Sequence, residues 1–228
     1  MQSYRIPAYF CKMKPILFYC YDAYCGWCYG FSPVMKQLAA VFPDLQIEVL
    51  SGGMVLPETP VHISATASYI QSAYKTVEEY SGVTFGPDYL WHINNPELSD
   101  WFPNSEKPAI ALSIFKELHP EKQVLFAADL QYALHFEGRD LTDNEAYRHL
   151  LEKYEIDADE FYENLNSEEY QEKAKYEFAL VKQLQVTGFP CVLLQESATK
   201  FHLLARGFTP FADLKPRLER ALETIGQS

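Results

Sequence analysis

The sequence predicts an α/β protein whose strands lie near the two ends of the chain, with a long all-helical segment between them. Three observations carry this. A strand–helix–strand run occupies the N-terminal part, helical signals fill about Met54 to Asn166, and a helix, a hairpin and a last helix follow. A chain of 228 residues, 48% hydrophobic and 15% aromatic, is long enough to bury a substantial core, and such a composition excludes a disordered or fibrous chain.

The first strand is "PILFYCYD", an apolar run too short for a helix and suited to burial on both faces. Trp27, Phe31, Val34, Leu38 and Val41 then recur at spacings of four and three, the stripe of an amphipathic helix. Pro33 falls inside that stripe, where it removes one ladder hydrogen bond and predicts a kink. "LQIEVLSGG" is the second strand. Strand, helix, strand in this order is a right-handed βαβ unit with parallel strands.

Inside the helical segment, Thr142 to Glu145 predicts a capping box, and a helix starting at Pro120 and Glu121 is expected to end at Gly138. Tyr170, Ala174, Phe178, Val181 and Leu184 line one face of the next helix, which has Glu168 and Glu169 in its first turn. "PCVLLQ" and "KFHLLAR" predict a hairpin, with Phe201, Leu203 and Ala205 alternating against His202 and Leu204. The last helix carries Leu214, Leu218, Ala221 and Ile225, with Asp213 as its expected N-cap and Pro216 in its first turn.

The order βαβ, helical insert, α, ββ, α is that of a thioredoxin-like fold interrupted by an inserted domain. The expected boundaries are 14–53 and 167–228 for the thioredoxin-like part, and 54–166 for the insert. The formal charge of −12, with no basic run, argues against nucleic acid. No apolar run approaches a membrane span, and the N-terminal residues lack the pattern of a secretory signal. A cytoplasmic protein is therefore expected. Residues 1–12, ahead of Met13, read as a lead without chemistry.

Five cysteines, an odd number, in a cytoplasmic chain of this size point to catalysis or metal binding, not to a disulfide framework. Cys25-Gly26-Trp27-Cys28 stands between the first strand and its helix, which puts both sulfurs at a helix N-terminus. Free N–H groups and the dipole there stabilise a thiolate, lowering a cysteine from about 8.5. Cys25, expected to be the exposed sulfur, is the candidate nucleophile, and Cys28 the resolving thiol. Cys20, Cys25 and Cys28 also have the C-x4-C-x2-C spacing of some iron–sulfur proteins, but a fourth ligand at suitable spacing is missing, so Cys20 reads as a core residue. Cys11 reads as a bystander, and the six histidines show no ligand spacing.

"YDAYCGWCYGFSPV", "VLSGGM", "QYALHFEGRDLTD" and "VTGFPCVLL" together resemble the DsbA-like thiol–disulfide oxidoreductases, in their cytoplasmic FrnE-like branch, from about Lys14 to the end. The resemblance implies a redox-active pair at Cys25 and Cys28 and a cis Phe189–Pro190 bond facing it. A cis bond before proline costs only about 0.5 to 1 kcal/mol. It further implies that the backbone beside that proline receives an extended substrate as an added strand.

Two positions depart from the family pattern. Tyr19 stands where such proteins carry a buried acid, which leaves Asp22 as a candidate acceptor for the Cys28 proton, against its reading as a turn or cap residue. Cys191 follows the proline directly, either as a third redox partner or as a small buried residue; the second reading is preferred. Gly26 leaves the first turn open, and Trp27 is either a substrate platform or part of the buried stripe. With no basic side chain between the cysteines, a mild oxidant is expected.

The resulting expectation is a reductase or isomerase of protein or small-molecule disulfides, without a bound cofactor or metal, and with glutathione as a candidate electron donor. The alternatives are a glutathione-dependent isomerase or transferase, a metal or iron–sulfur carrier, and a peptide-binding module.

Overall fold

The computed structural model describes residues 14–227, so Cys11 and the lead of residues 1–12 lie outside the described residues. Strand β1 (Ile16–Tyr21) leads into helix α1 (Gly26–Val41) and strand β2 (Gln46–Ser51). Helices α2 (Ser64–Ser81), α3 (Pro87–Asn94), α4 (Glu106–Leu118), α5 (Gln123–His135), α6 (Arg148–Tyr154) and α7 (Ala158–Leu165) follow. Helix α8 (Glu168–Gln183), strands β3 (Cys191–Gln195) and β4 (Phe201–Arg206), and helix α9 (Phe211–Gln227) complete the chain. The strands form one mixed sheet in the order β2-β1-β3-β4, with β1 parallel to β2 and antiparallel to β3. This is the predicted α/β fold of thioredoxin type.

Strand β1 is apolar on both faces because both are covered. Leu17, Tyr19 and Tyr21 join the larger core with α1 and α9, whereas Phe18 and Cys20 meet the second core, which holds Leu50, Val181, Cys191 and Leu193. In α1 the stripe is buried at Phe31, Val34 and Leu38, but Val41 in the last turn is exposed and Trp27 is only half-buried. Pro33 sits within α1 on its exposed side.

Helices α4, α5 and α8 also seal the sheet. As an edge strand among the described residues, β2 presents backbone groups with no strand partner there. Gln123 accepts the Val49 N–H at 2.7 Å, Lys116 donates to the Val49 carbonyl at 2.8 Å, and Glu177 accepts the Ser51 N–H at 2.8 Å. Lys116 pairs with Glu177 at 2.7 Å and with Glu48, so the buried carboxylate of Glu177 is not left unpaired.

Several local expectations are corrected. Thr142 does not cap: Asp143 accepts the Glu145 N–H at 3.1 Å and opens a single 3-10 turn, while the Thr142 hydroxyl turns back to Asp140. Helix α5 starts three residues after Pro120, behind a 3-10 turn, and Gly138, at φ +68°, follows its end. Helix α9 starts at Phe211, two residues before Asp213; the Asp213 and Leu214 N–H groups both reach the Pro210 carbonyl.

The strict alternation expected in β4 fails because of a β-bulge. Val192 pairs with Ala205 and Leu193 with Leu203, leaving Leu204 as the extra residue, so Leu204 and Ala205 are both buried and Leu203 is exposed. Leu204→Ala should therefore cost about 2–4 kcal/mol in urea denaturation, and Leu203→Ala less than about 0.5. The reverse ranking would refute the bulged register.

Candidate active site

The residues before α1 fold into a tight turn around Asp22. Its carboxylate accepts the Tyr24 N–H at 3.0 Å, an Asx turn, while its own carbonyl accepts the Cys25 N–H at 3.1 Å. Cys25 is thereby delivered as the N-cap of α1, with extended backbone at φ −83° and ψ 108°. Its Sγ takes the place of a capping oxygen, accepting the Cys28 N–H at 3.3 Å. The two cysteines are one helical turn apart, both are free thiols, and Cys28 is fully buried. Burial pushes the Cys28 thiol well above its ordinary range, and the neighbouring Cys25 adds to that.

Opposite this turn the Phe189–Pro190 peptide is cis. The Cys25 thiol donates to the Phe189 carbonyl at 3.7 Å, and the Pro190 carbonyl accepts the Gly207 N–H at 2.8 Å. The expectation of an open Cys25 is corrected here: the residue is 6% exposed, because it faces the Phe189 carbonyl and packs into the larger core. Trp27 is placed between both of its readings. Half-buried, its ring meets exposed Tyr80 edge-on at 6.2 Å and Phe208 at 6.2 Å. A Cβ at Gly26 would meet only the Phe85 ring, at 3.4 Å, so space does not demand glycine there.

Asp22 does more than turn the chain. It is 1% exposed, and its carboxylate also accepts the Met54 N–H at 2.7 Å and the Ser105 hydroxyl at 2.9 Å. Burial raises its pKa, and these donors oppose the rise. Tyr19 is buried against Tyr21 and Phe31, and its hydroxyl has no hydrogen-bond partner among the described residues. Cys191 is buried at the head of β3, and Cys20 lies on the opposite face of the sheet from Cys25 and Cys28. The three sulfurs of the C-x4-C-x2-C spacing therefore do not converge. Among the described residues, no group of three or more His, Cys, Asp or Glu could hold a metal ion.

Sequence reasoning missed the supports of this site. Ser105, Gln131 and His135 come from the insert: Ser105 holds Asp22, the Gln131 amide donates to the Asp22 carbonyl at 3.3 Å, and His135 Nε2 lies 3.2 Å from the Ala23 carbonyl. Burial pushes His135 down to about 3, so it is neutral at physiological pH and donates through Nε2 to that carbonyl. Gly52 is a second omission. A Cβ there would fall 2.0 Å from the Phe189 ring, so only glycine lets that ring seat behind the cis peptide. The paired glycines ending "LSGG" were the available signal.

The family model for the DSBA-like thioredoxin domain matches residues 16–218. Among solved structures, a candidate protein disulfide isomerase from Nitrosomonas europaea superposes with a TM-score of 0.81 at 24% identity, covering 92% of this chain and 98% of that one. The cytosolic disulfide reductase DsbM from Pseudomonas aeruginosa gives 0.72 at 24% identity, over 92% and 99% of the two chains, and a structure of it with GSH gives 0.70. A 2-hydroxychromene-2-carboxylate isomerase gives 0.59 at 12% identity, over 93% and 95%. At these identities the likeness speaks for the fold. A search of the curated proteins found no match to the sequence.

Two outcomes test the supports. Gly52→Ala should displace Phe189 and lower the rate of disulfide exchange at least tenfold with Cys25 and Cys28 intact; an unchanged rate would show the seat to be irrelevant. For His135 the folded pKa lies below the unfolded value of about 6.5, so the unfolded chain binds the extra proton as pH falls between them. That contribution is complete at neutral pH and is lost as pH drops from about 6.5 toward 3. His135→Gln should therefore flatten the fall in stability between pH 7 and pH 5, measured by urea denaturation. Equal slopes would exclude the buried neutral histidine.

Proposed function

This chain belongs to the DSBA-like thioredoxin domain family, and from that membership we propose that it is a thiol–disulfide oxidoreductase working through Cys25 and Cys28 as a reductase or isomerase. The observation that carries the reading is the pair of contacts on one sulfur. Cys25 Sγ accepts a helix N-terminal N–H and points at the carbonyl of the residue before the cis proline.

In the reductive direction the Cys25 thiolate attacks one sulfur of a substrate disulfide. The substrate S–S bond breaks, a mixed disulfide forms, and the departing sulfur takes a proton. Cys28 then loses its proton and attacks Cys25 Sγ, releasing the second substrate thiol and leaving a Cys25–Cys28 disulfide. Because burial holds the Cys28 proton firmly, its removal needs an acceptor. Asp22, whose charge acts on Cys28, is the candidate for it alongside its role in the turn. Two equivalents of a small thiol, such as glutathione, would return the pair to the dithiol.

Protein disulfides and small disulfides both fit as substrates, with Gly26, Trp27, Phe189 and Pro190 forming the receiving surface. The name of the Pseudomonas protein, a cytosolic reductase also solved with GSH, supports a cytoplasmic site of action and the thiol donor. Among the described residues no helix is long and apolar enough to cross a membrane.

Cys25→Ala should abolish reduction of a model disulfide, such as insulin or oxidised glutathione. Cys28→Ala should accumulate mixed disulfides at Cys25, visible by non-reducing mass spectrometry. Normal turnover by the Cys28 variant would eliminate the dithiol mechanism, and, if it required glutathione, would favour a glutathione-dependent isomerase or transferase.

A further inference from the structure

Cys20 and Cys191 are Cα partners in the antiparallel pairing of β1 with β3, so their side chains project from the same face of the sheet, the face covered by α8. Directly opposed antiparallel residues have Cα atoms about 4.5–5.5 Å apart. That range falls within the about 4.4–6.8 Å spanned by disulfides. The same sheet row continues from Leu50 on β2, through Cys20 and Cys191, to Arg206 on β4. Arg206 is exposed, and its charge favours an anion at Cys191. Both sulfurs are buried, but Cys191 is 4% exposed and Cys20 0%, so Cys191 is the sulfur nearer solvent.

We propose that Cys20 and Cys191 are a second oxidisable pair, which closes a cross-strand disulfide on the sheet face opposite Cys25 and Cys28 when the protein meets a hydroperoxide. In the first step Cys191 takes one peroxide oxygen to become a sulfenic acid, and the other oxygen leaves as water or alcohol. The Cys20 thiol then attacks the Cys191 sulfur, the S–O bond breaks, and a water carries away the oxygen with the thiol proton. Two thiols are oxidised by two electrons in all, and one hydroperoxide is reduced.

The position gives the bond a consequence. Strand β1 ends at Tyr21, next to the Asp22 turn, and β3 begins at Cys191, next to Pro190. A covalent link between them fixes the two halves of the Cys25 site at one separation. Burial raises both thiols, which slows their thiolate chemistry with disulfides and hydroperoxides alike, and Arg206 opposes the rise at Cys191 alone, so Cys191 is the sulfur that reacts first. The sheet stands between the two dithiols, so the inference holds whether or not Cys25 and Cys28 act as proposed above.

The test uses the full chain with Cys11→Ala, Cys25→Ala and Cys28→Ala, leaving only Cys20 and Cys191. Folded protein is treated with hydrogen peroxide, then denatured, alkylated and weighed. The expected result is a mass lower by two hydrogens, no alkylation, a joined Cys20–Cys191 peptide after digestion, and reversal by dithiothreitol. Two alkylated cysteines, or oxygen added without a joined peptide, would overturn the proposal. The unsubstituted protein gives the same reading if the triple variant does not fold: the Cys20–Cys191 peptide must appear, and its absence after full oxidation counts against the pair.

Discussion

The arrangement depends on one buried carboxylate. Asp22 lies where β1 becomes the turn before α1, and three donors from three separate stretches, Tyr24, Met54 and Ser105, converge on its two oxygens. Burying a carboxylate is costly unless donors replace its water. Here those donors are the parts that must be assembled: the turn that delivers Cys25, the exit of β2, and the start of α4. Satisfying the charge and positioning the sulfur are the same event. The insert is thus tied to the site by hydrogen bonds at Ser105, Gln131 and His135 as well as by apolar packing.

The sheet acts as a partition. Alternation along β1 sends Tyr19 and Tyr21 toward the face of Cys25 and Cys28, and Cys20 toward α8. Four sulfurs that lie close in the fold are thereby divided into two pairs with different surroundings. One pair sits at a helix N-terminus facing the cis proline loop; the other is enclosed between strands and helix. Gln123, Lys116 and Glu177 close the β2 edge, and β4 is the other edge among the described residues, where Arg217 donates to the Leu204 carbonyl at 3.0 Å.

Backbone shape matters as much as side-chain chemistry around Cys25. The cis loop stands at its observed height because the Phe189 ring occupies the space that a side chain at residue 52 would fill. The supporting polar groups are uncharged where they can be: His135, packed among Tyr29, Phe85 and Tyr89, acts as a neutral hydrogen-bond donor. A charged imidazole would place a cation at the Ala23 carbonyl, in the turn before Cys25, and burial removes that charge.

Local pattern in the sequence determined the element order, the Cys25–Cys28 pair at a helix start and the proline at the head of β3, because each depends on neighbours within a few residues. Apolar spacing placed α1, α8 and α9 for the same reason. Tertiary structure alone decided what no local pattern encodes. The β4 bulge sends Leu204 inward, the 3-10 turn at Asn144 displaces the expected capping box, and α9 begins at Phe211, ahead of the expected cap at Asp213, on the Pro210 carbonyl. The bonds of Met54 and Ser105 to Asp22, the seat of Phe189 over Gly52 and the pairing of Cys20 with Cys191 join residues that are 32 or more positions apart. Such contacts follow from how the insert and the sheet close on each other, and a linear pattern carries no record of that closure.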